Sequence, residues 1–391
     1  MSKINNLIKE MCPNGVEFKK LEDCCNILDN KRKPISKGIR EMGEYPYYGA
    51  NGIQDYISDY IFDGKYVLVG EDGSVQTPNG TPIVNWAIGK IWVNNHAHII
   101  EEIDGVSLRY LYHYLQIVDV KDLIHGNIPK LNQSNFRNIK IAVPPLEVQE
   151  EIVKILDKFG ELEAELEAEL ETRKNQYEFW RGTIISNSNG KDGKLIELLS
   201  GPITDGPHTT PKFVSEGIPF ISASAVHEGK IHLKDAQGFI TKAFDNECSR
   251  KYKPRKWDVY MVKSGSTTGK VAIVDIDADF NIWSPLAAMR TDNEITSRYL
   301  YHLLQTKDVQ EQVRNRMSHG SQPNLSMRVL EQFDIKIPTL EEQHCIVNIL
   351  DKFDKLINDI SKGLPAEIEL RRKQYEYYRN KLLSFEVCND E

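Results

Sequence analysis

The pentapeptide Ile155-Leu156-Asp157-Lys158-Phe159 occurs a second time as Ile349-Leu350-Asp351-Lys352-Phe353, 194 residues further along a chain of 391 residues. The dipeptide His125-Gly126 recurs as His319-Gly320 at the same distance. Several motifs that share one spacing over tens of residues indicate an internal duplication. The chain is therefore expected to consist of two copies of one folding unit.

Two further motifs recur at similar distances. The run Arg109-Tyr110-Leu111-Tyr112-His113 returns as Arg298-Tyr299-Leu300-Tyr301-His302 after 189 residues. The tripeptide Gln176-Tyr177-Glu178 returns as Gln374-Tyr375-Glu376 after 198 residues. The order of the motifs is the same in both halves, which predicts that both halves fold on the same plan.

Each half begins with a mixed region and ends with a helical segment. Short β-rich runs, such as Tyr66–Val69 in the first half and Lys270–Val274 in the second, alternate with turns that contain glycine or Asn-Gly. These patterns predict an α+β fold class. The two pseudo-symmetric globular domains are expected at residues 1–145 and 189–339.

The helical segments are expected at residues 146–188 and 340–391. The first contains no proline between Glu147 and Ile185, and its apolar residues at steps of three and four form one stripe. A stripe on so long a helix needs a partner. The two segments are therefore predicted to pair as an antiparallel coiled coil that separates the domains. Gly363 and Pro365 are predicted to kink or split the second segment.

Composition argues against several classes of protein. No apolar run reaches the length of about 18 residues that a membrane span needs, and no secretion signal is expected at the N-terminus. The six cysteines show no metal or disulfide spacing, so reduced thiols and a cytoplasmic location are expected. The net charge of −8 is concentrated in the helical segments, with −6 in residues 146–185 and −3 in residues 340–391. The near-neutral domains remain compatible with nucleic acid as a partner.

Motifs for catalysis are incomplete. The loop Gly265–Lys270 resembles a phosphate-binding loop, but it has three residues between its glycines where the ATP-binding pattern needs four, and Val271 replaces the hydroxyl that holds magnesium. Glu228-Gly229-Lys230 imitates the end of a nuclease site without a suitably spaced aspartate. Pro144-Pro145 lacks the polar and aromatic neighbours of an amino-methyltransferase motif. The ten histidines show no metal-ligand grouping, and the chain is predicted not to be an enzyme.

The duplicated motifs resemble those of the specificity subunit of type I restriction–modification enzymes. The resemblance lies in the run Pro144–Phe159 and its copy Pro338–Phe353, each followed by a helix that carries Gln-Tyr-Glu. The segments Gly217–Ser222 and Lys263–Lys270 are similar to parts of that family's target-recognition domains. The resemblance covers essentially the whole chain.

This resemblance implies a non-catalytic subunit that recognises double-stranded DNA. In that family each globular domain reads one half of a bipartite target, and the helical regions set the spacing and dock two adenine methyltransferase subunits. Restriction subunits, which translocate DNA, join to complete the nuclease. The chain itself is expected to bind no cofactor and no metal, whereas its partner subunits are expected to use S-adenosylmethionine, ATP and Mg²⁺.

A four-residue unit, Leu-Glu-Ala-Glu, occurs twice in tandem within Leu162–Leu170. One reading is a solvated stretch of strong helix formers. The other is an adjustable spacer, because some members of the family carry a tandem four-residue repeat there, although the repeat typical of the family contains threonine. Four helical residues add about 6 Å, which corresponds to one or two base-pair steps of about 3.4 Å.

Three basic stretches are the candidate DNA contacts, because Lys and Arg neutralise phosphates and Arg can also pair with guanine. One is in the first half and two are in the second. Lys270, which follows a glycine turn, is a fourth candidate for a phosphate contact. An ordinary solvated surface is the alternative for each residue. The basic stretches are Lys31, Arg32 and Lys33; Arg250, Lys251, Lys253, Arg255 and Lys256; and Arg314 and Arg316.

Comparison of the halves separates two kinds of residue. Residues that both halves share are expected to carry architecture or partner docking, since both halves need these. His125 and His319 are accordingly expected to form loops or contact the DNA backbone, and not to read bases. Residues that differ are expected to read sequence, since the half-sites presented to the two domains differ. Exposed candidates for base contact are Tyr47, Asn79 and Lys130 in the first half, and His208, Lys212 and Ser266 in the second.

Two alternatives remain open at the level of sequence. One is a structural scaffold that holds two protein partners with its repeated domains and does not touch DNA. The other is a nuclease with an unrecognised catalytic site. A DNA footprint in the assembled complex separates the first alternative from the main hypothesis, and cleavage by the purified chain with magnesium tests the second.

Overall fold

The computed structural model describes residues 2–73, 75–318, 323–359 and 362–386. The chain divides into two compact units. Unit 1 comprises Met1–Glu165 together with Ile368–Glu391, and unit 2 comprises Leu166–Glu367. The helical segment at the end of each half therefore contributes to both units.

Unit 1 is a mixed α+β structure. Its strands are β1 (Phe18–Lys20), β2 (Asn26–Ile27), β3 (Met42–Gly49), β4 (Gly52–Ile57), β5 (Phe62–Gly70), β6 (Val84–Val93), β7 (Ala97–Glu101), β8 (Ile124–His125), β9 (Lys130–Leu131) and β10 (Lys140–Ala142). Its helices are α1 (Ser2–Met11), α2 (Leu108–Leu115), α3 (Gln133–Arg137) and the first part of α4 (Leu146–Ser186).

A six-stranded sheet with the order β2-β7-β5-β6-β3-β4 forms the centre of unit 1. Strands β5 and β6 pair antiparallel from Phe62 opposite Ile91 to Val69 opposite Val84. The Asn51-Gly52 turn joins β3 to β4, and Gly52 has a φ of 105°, which a residue without Cβ adopts easily. The predicted α+β character and this turn are confirmed.

Unit 2 repeats the mixed composition with shorter strands. Its strands are β11 (Lys191–Lys194), β12 (Thr204–Asp205), β13 (Ile218–Ile221), β14 (Val226–His227), β15 (Lys230–Ile231), β16 (Gly238–Ile240), β17 (Val259–Val262), β18 (Val271–Ile273), β19 (Asn281–Ile282), β20 (Leu286–Met289) and β21 (Asp334–Ile337). Its helices after α4 are α5 (Lys242–Ser249), α6 (Glu294–Leu304), α7 (Lys307–Arg316), α8 (Met327–Glu331), α9 (Leu340–Asn358) and the start of α10 (Leu364–Leu383).

The sheets of unit 2 include elements that match unit 1. A six-stranded sheet has the order β12-β20-β17-β18-β15-β14, and a three-stranded sheet has the order β16-β13-β19. The antiparallel pair β11–β21 corresponds to the pair β1–β10 of unit 1. In both units this pair joins an early strand to the strand that precedes the helical segment, so the duplication seen in the sequence extends to the connections of the strands.

Each hydrophobic core is completed by a helix from the opposite half of the sequence. Leu382 and Leu383 of α10 are buried in the core of unit 1, alongside Leu156 of α4. Tyr177 of α4 is buried in the core of unit 2, alongside Leu350 of α9. The boundaries of the compact units therefore differ from those of the four consecutive segments expected from the sequence. The reason is that each unit combines residues from both halves of the chain, and the apolar stripe of each helix is covered within such a unit.

The helical segments meet in an antiparallel arrangement within unit 1. The ring of Phe159 stacks on Tyr378 with centroids 5.3 Å apart, and Arg372 Nε donates to Glu163 Oε1 at 2.6 Å. As residue numbers rise along α4, the numbers of their partners fall along α10. Within unit 2, Tyr177 of α4 stacks on Phe353 of α9.

The predicted interruption of the second helical segment is confirmed. Helix α9 ends at Asn358 and α10 begins at Leu364. Pro365 lies in the first turn of α10, where a missing N–H costs no intrahelical hydrogen bond. A Cβ on Gly363 would lie 2.6 Å from the carbonyl oxygen of Leu356, so this position requires glycine. Among the helices of the described ranges, none has the length and apolarity to cross a membrane.

Candidate nucleic-acid interface

Three of the motifs shared by both halves meet in one polar cluster around a buried histidine in each unit. In unit 1, Arg109 Nε and His113 Nε2 both lie 2.8 Å from Asp157 Oδ1, and His113 Nδ1 lies 3.0 Å from the hydroxyl of Tyr375. Asp157 comes from the repeated pentapeptide and Tyr375 from the repeated Gln-Tyr-Glu.

Unit 2 contains the same cluster. His302 Nε2 lies 2.7 Å from Asp351 Oδ1, His302 Nδ1 lies 3.1 Å from the hydroxyl of Tyr177, and Arg298 pairs with Asp351. The tyrosine again comes from the helical segment of the other half. The repeated residues of these motifs therefore carry architecture, as the comparison of the halves predicts.

Burial controls the charge state of these clusters. It lowers the pKa of His113, against the opposing hydrogen bond to Asp157. It lowers the pKa of His302 to about 3, and the neighbouring cations Arg181 and Arg298 act in the same direction. Burial would raise the pKa of Asp157, but hydrogen bonds from His113 and Arg109 hold that pKa below its usual range.

The free energy of unfolding is expected to fall as the pH is lowered from about 7 to about 5. An unfolded histidine has a pKa near 6.5 and takes up a proton that the folded ring does not accept. Lowering the pH therefore stabilises the unfolded state relative to the folded state. We expect His302 to account for a loss of about 1 to 2 kcal/mol over this range, and His113 to change stability in the same direction. Urea unfolding at a series of pH values, followed by tryptophan fluorescence, measures this loss of stability. The variant His302→Gln should lack the part of the pH dependence that His302 contributes.

The carboxylate of Asp245 does not obscure this effect. Burial would raise the pKa of Asp245, but hydrogen bonds from Lys242, Asn281 and Lys253 lower it to about 2. The stability that it contributes is present above the unfolded pKa of about 4 and is lost only as the pH falls from there towards 2. Stability that stays constant between pH 7 and 5 would contradict the assignment of neutral buried histidines.

A repeated loop is fixed by the same backbone hydrogen bonds in both units. In unit 1, Gly73 N donates to Pro129 O at 3.0 Å and Leu131 N donates to Glu71 O at 2.8 Å. In unit 2, Gly265 N donates to Pro323 O at 3.0 Å and Leu325 N donates to Lys263 O at 2.7 Å. Each repeated loop thus lies beside the segment that follows the central strand β5 or β17. His125 is exposed in this loop, whereas His319 lies outside the described residues.

Residues that differ between the halves surround these two loops. Exposed Lys130 lies in this part of unit 1, with its Nζ 3.0 Å from Glu71 Oε1. Exposed Asn79 lies in a separate turn, in which Gly80 N donates to Thr77 O at 2.9 Å. Exposed Ser266 lies in the equivalent segment of unit 2, while His208 Nε2 lies 3.3 Å from Asp205 Oδ2, a carboxylate that also pairs with Lys263. The structure therefore places Lys130 beside the repeated loop of unit 1, and Ser266 and His208 near the corresponding loop of unit 2. We call the surfaces around these two loops the candidate interface.

The basic stretch of unit 1 divides into exposed and internal residues. Lys31 and Lys33 are exposed and make no ion pair with a described residue. Arg32 is directed inward: its NH1 contacts Glu71 Oε2 and the carbonyl oxygen of Ala97, both at 2.6 Å. The guanidinium of Arg32 therefore holds the unit together, and Lys31 and Lys33 are the better candidates for a phosphate contact.

Arg32 belongs to a buried network that the sequence did not reveal. His98 Nδ1 lies 2.6 Å from Asp29 Oδ2, and His98 Nε2 lies 2.8 Å from the carbonyl oxygen of Leu131. Asp29, Glu71 and His98 come close enough to one another for a metal site. Arg32 and Lys130 already neutralise the two carboxylates, so the network acts as an ion-pair cluster behind the candidate interface.

Tyr47 is buried, so the prediction that it lies on an exposed face is wrong. Only 1% of its surface is accessible, and its hydroxyl accepts a hydrogen bond from Ile35 N at 3.0 Å. The guanidinium of Arg40 covers the ring at 4.0 Å from its centroid. The side chain belongs to a small core with Ile57 and Trp92, whereas the neighbouring Tyr48 is buried in a different cluster, so both faces of β3 are covered at this point.

The large basic stretch of unit 2 is partly neutralised by distant aspartates. Lys251 pairs with Asp205, and Lys253 pairs with Asp245 at 3.0 Å and with Asp279. Within the described ranges, the remaining cations of the stretch form no ion pair. The same holds for Lys212 and Lys270. These residues, all exposed, are Arg250, Arg255, Lys256, Lys212 and Lys270.

The two arginines of α7 are placed differently. Arg314 NH2 lies 3.8 Å from Glu311 Oε1, and both side chains are about half exposed. Arg316 NH2 contacts Asp334 Oδ2 at 3.1 Å, and its NH1 donates to the carbonyl oxygen of Gln332 at 3.2 Å. Arg316 therefore ties the end of α7 to β21, whereas Arg314 is free to leave a weak surface ion pair.

Two α+β units built on the same plan, each with its own exposed residues beside a shared loop, define a duplicated recognition protein. The model of the "type I restriction modification DNA specificity domain" matches residues 13–172 and again residues 207–370. These matches span most of the chain, and the protein belongs to this family. The family model finds the same duplication that the pentapeptide first indicates.

Curated relatives agree with this assignment. A putative type I restriction enzyme specificity subunit of Haemophilus influenzae is 36% identical over 384 residues, which cover 95% of this chain and 96% of that protein. The EcoR124I/EcoR124II specificity subunit of Escherichia coli is 33% identical over 292 residues, 71% of each chain.

Solved structures show the same fold at low sequence identity. The S subunit of a type I restriction–modification system from M. genitalium superposes with a TM-score of 0.53 at 14% identity and covers 94% of this chain and 96% of that one. A chain from a structure of type I R-M complex assembly gives a TM-score of 0.59 at 14% identity, covering 95% and 98%.

Proposed function

We propose that this chain is the DNA sequence-recognition subunit of a type I restriction–modification complex, and that each unit reads one half of a bipartite target. The observation that carries the proposal is the duplicated specificity domain, in which both units fix the same loop and surround it with different side chains. A shared frame with variable residues is what two different half-sites require. In this role the chain recognises DNA, and partner subunits carry out the chemistry.

Two copies of a methyltransferase subunit are the proposed partners, because the helical segments carry pairs of aromatic residues at equivalent positions, each with an exposed ring. Phe179 of α4 is 64% exposed, and the equivalent residue of α10, Tyr377, is 59% exposed. Each ring contacts its neighbour edge to face, with centroids 5.3 Å apart for Phe179–Trp180 and 5.2 Å for Tyr377–Tyr378. Exposed aromatic pairs favour a protein interface, and equivalent pairs favour two copies of one partner.

The rest of the assembly follows from the same role. Restriction subunits are proposed to join the complex, and S-adenosylmethionine, ATP and Mg²⁺ are proposed to bind the partner subunits and not this chain. The cytoplasm is the proposed location, since the DNA target is there. A scaffold that never touches DNA is the second candidate, and the absence of a DNA footprint in the assembled complex would favour it.

Replacing Arg255 and Lys256 by alanine is expected to weaken DNA binding by the complex on target and non-target sequences alike. Both side chains are exposed and form no ion pair with described residues, so each is available to a phosphate. We expect the negative slope of log K against log salt to become shallower by about 0.9 for each phosphate that is no longer neutralised. Arg316→Ala, which removes a cation that is already paired, is the matched control.

Titration of duplex DNA at a series of salt concentrations measures the effect. An unchanged slope in the Arg255→Ala, Lys256→Ala double variant would remove this cluster from the interface. A loss of affinity restricted to the specific target would assign the two residues to base recognition instead of phosphate contact.

A further inference from the structure

Arg181 is a buried cation that makes no ion pair with a described residue, although its charge acts to lower the pKa of the buried Asp354. It lies on the part of α4 that belongs to unit 2, and only 8% of its surface is accessible. Its NH1 lies 3.4 Å from Gln305 Oε1, and its guanidinium lies 4.8 Å from the ring centroid of Tyr177. Within the described part of the chain it forms no ion pair, and its Nε–H has no acceptor. A buried charge with incomplete hydrogen bonding is costly, which points to a missing acceptor.

Arg181 lines an open cavity of about 310 Å³ in unit 2. The turn between β14 and β15, the segment Gly269–Val271 and the side chain of Gln310 form its other walls. Lys270 brings a second cation that is exposed and makes no ion pair with a described residue. Glu228 contributes one carboxylate at the wall, so two cations face one anion, and the cavity can hold a group with several acceptor oxygens.

Unit 1 contains the arginine but not the second cation. Arg379 NH1 donates to Gln116 Oε1 at 2.7 Å, its guanidinium lies 5.0 Å from the ring of Tyr375, and its Nε–H also has no acceptor. The backbone bond from Val262 N to Lys270 O in unit 2 corresponds to the bond from Gly70 N to Ile83 O in unit 1. An isoleucine thus occupies the place of Lys270, so only unit 2 pairs the buried arginine with a lysine.

The cavity adjoins the candidate interface. Lys270 ends the loop that begins at Gly265, and Gly265 bonds the repeated loop at Pro323. Ser266, a candidate for base contact, is in the same loop. A group bound between Arg181 and Lys270 would therefore be at the margin of the surface that we assign to DNA.

We propose that the cavity between Arg181 and Lys270 binds one phosphate group, supplied by the backbone of the DNA that unit 2 recognises. The proposal rests on the proposed function for its source of phosphate. Arg181 offers a rigid set of N–H donors and Lys270 a mobile point charge, a combination that recognises a phosphate through hydrogen bonds and charge. The contact fixes the register of the DNA and carries no sequence information.

The test uses the complete complex with its methyltransferase subunits and the variants Arg181→Gln, Lys270→Gln and Arg379→Gln. We expect Arg181→Gln and Lys270→Gln each to weaken binding about tenfold on all duplexes and to lower the salt slope by about 0.9. Arg181→Lys should restore most of the slope because it keeps the charge. Arg379→Gln removes the equivalent arginine where no lysine accompanies it, and should leave the slope unchanged.

A second arm adds millimolar inorganic phosphate to the complex without DNA and measures the melting temperature. If phosphate stabilises the wild type but neither Arg181→Gln nor Lys270→Gln, and their salt slopes stay unchanged, the cavity binds free phosphate instead of the DNA backbone. If both variants keep the salt slope and the phosphate response of the wild type, the proposal is overturned. It is also overturned if Arg181→Gln releases the methyltransferase subunits, which would assign Arg181 to a partner's carboxylate.

If Arg181→Gln fails to fold, the Lys270→Gln variant still tests the proposal, because Lys270 is exposed. The proposed function fails separately, if the wild-type complex binds no duplex DNA at all. In that case the phosphate arm alone decides whether the cavity takes a phosphate group.

Discussion

Deleting Leu162–Glu165, one of the two Leu-Glu-Ala-Glu units, is expected to change the target of the complex while leaving both half-sites intact. The unit lies within the uninterrupted helix α4, and along the chain unit 1 gives way to unit 2 between Glu165 and Leu166, inside the tandem repeat. Four residues remove about 6 Å of helix and about 400° of rotation, which is one turn and a further 40°. The gap between the half-sites should therefore shorten by one or two base pairs of about 3.4 Å.

The deletion is expected to leave the helix itself stable. Leu162, Leu166 and Leu170 are half-buried at steps of four, and removal of four residues keeps this step. Methylation of plasmids that carry the two half-sites at a series of gap lengths measures the result. The original gap should lose methylation almost completely, since a misplaced half-site cannot make its contacts.

The control for this deletion keeps the length of the helix and changes its surface. Ala164→Ser together with Ala168→Ser alters two exposed positions of the repeat and should leave the preferred gap unchanged. An unchanged gap after the deletion would show that the repeat is only a solvated stretch of helix. A change in the bases of either half-site would contradict the claim that the spacer sets only the gap and that the two units read the bases.

The second large effect is expected from the exposed aromatic pairs. Replacing Phe179 and Trp180 by serine should remove one copy of the methyltransferase subunit from the complex, and replacing Tyr377 and Tyr378 should remove the other. Buried aromatic anchors of interfaces typically contribute about 2 kcal/mol or more each, or about 30-fold in affinity. Both pairs together should abolish assembly, and the methyltransferase activity should be lost with it.

Native mass spectrometry of the assembled complex counts the copies directly. Tyr56→Ser is the control, because Tyr56 is 52% exposed but belongs to β4 and not to a helical segment. Tyr378 also stacks on Phe159, so Tyr377→Ser alone separates a docking effect from a packing effect. Two copies that remain bound after all four substitutions would place the docking surface elsewhere.

The duplication and the fold class were predictable because they rest on local patterns. Repeated motifs are visible at any distance, and the break before α10 follows from Gly363 and Pro365. The exchange of helices was not predictable from these patterns. Whether Tyr177 packs near His113 or near His302 depends on contacts between residues that are far apart in the chain, for which sequence periodicity holds no signal.

The candidate interface was predictable only in part. Basic residues were recognised by their clustering, but the network of ion pairs depends on partners that are distant in sequence. Asp205, which pairs with both Lys251 and Lys263, gives no local sign of this role. The burial of Tyr47 was also not predictable, because the sequence of a single strand does not show which of its faces the rest of the unit covers.

The most direct test of the account is genome-wide adenine methylation in a host that carries this gene and its methyltransferase partner, compared with the same host lacking only this gene. The account predicts a bipartite motif with unspecified bases between its halves, present in the first host and absent in the second. A motif that persists without the gene would show that this chain does not choose the target, and would contradict its role as the recognition subunit.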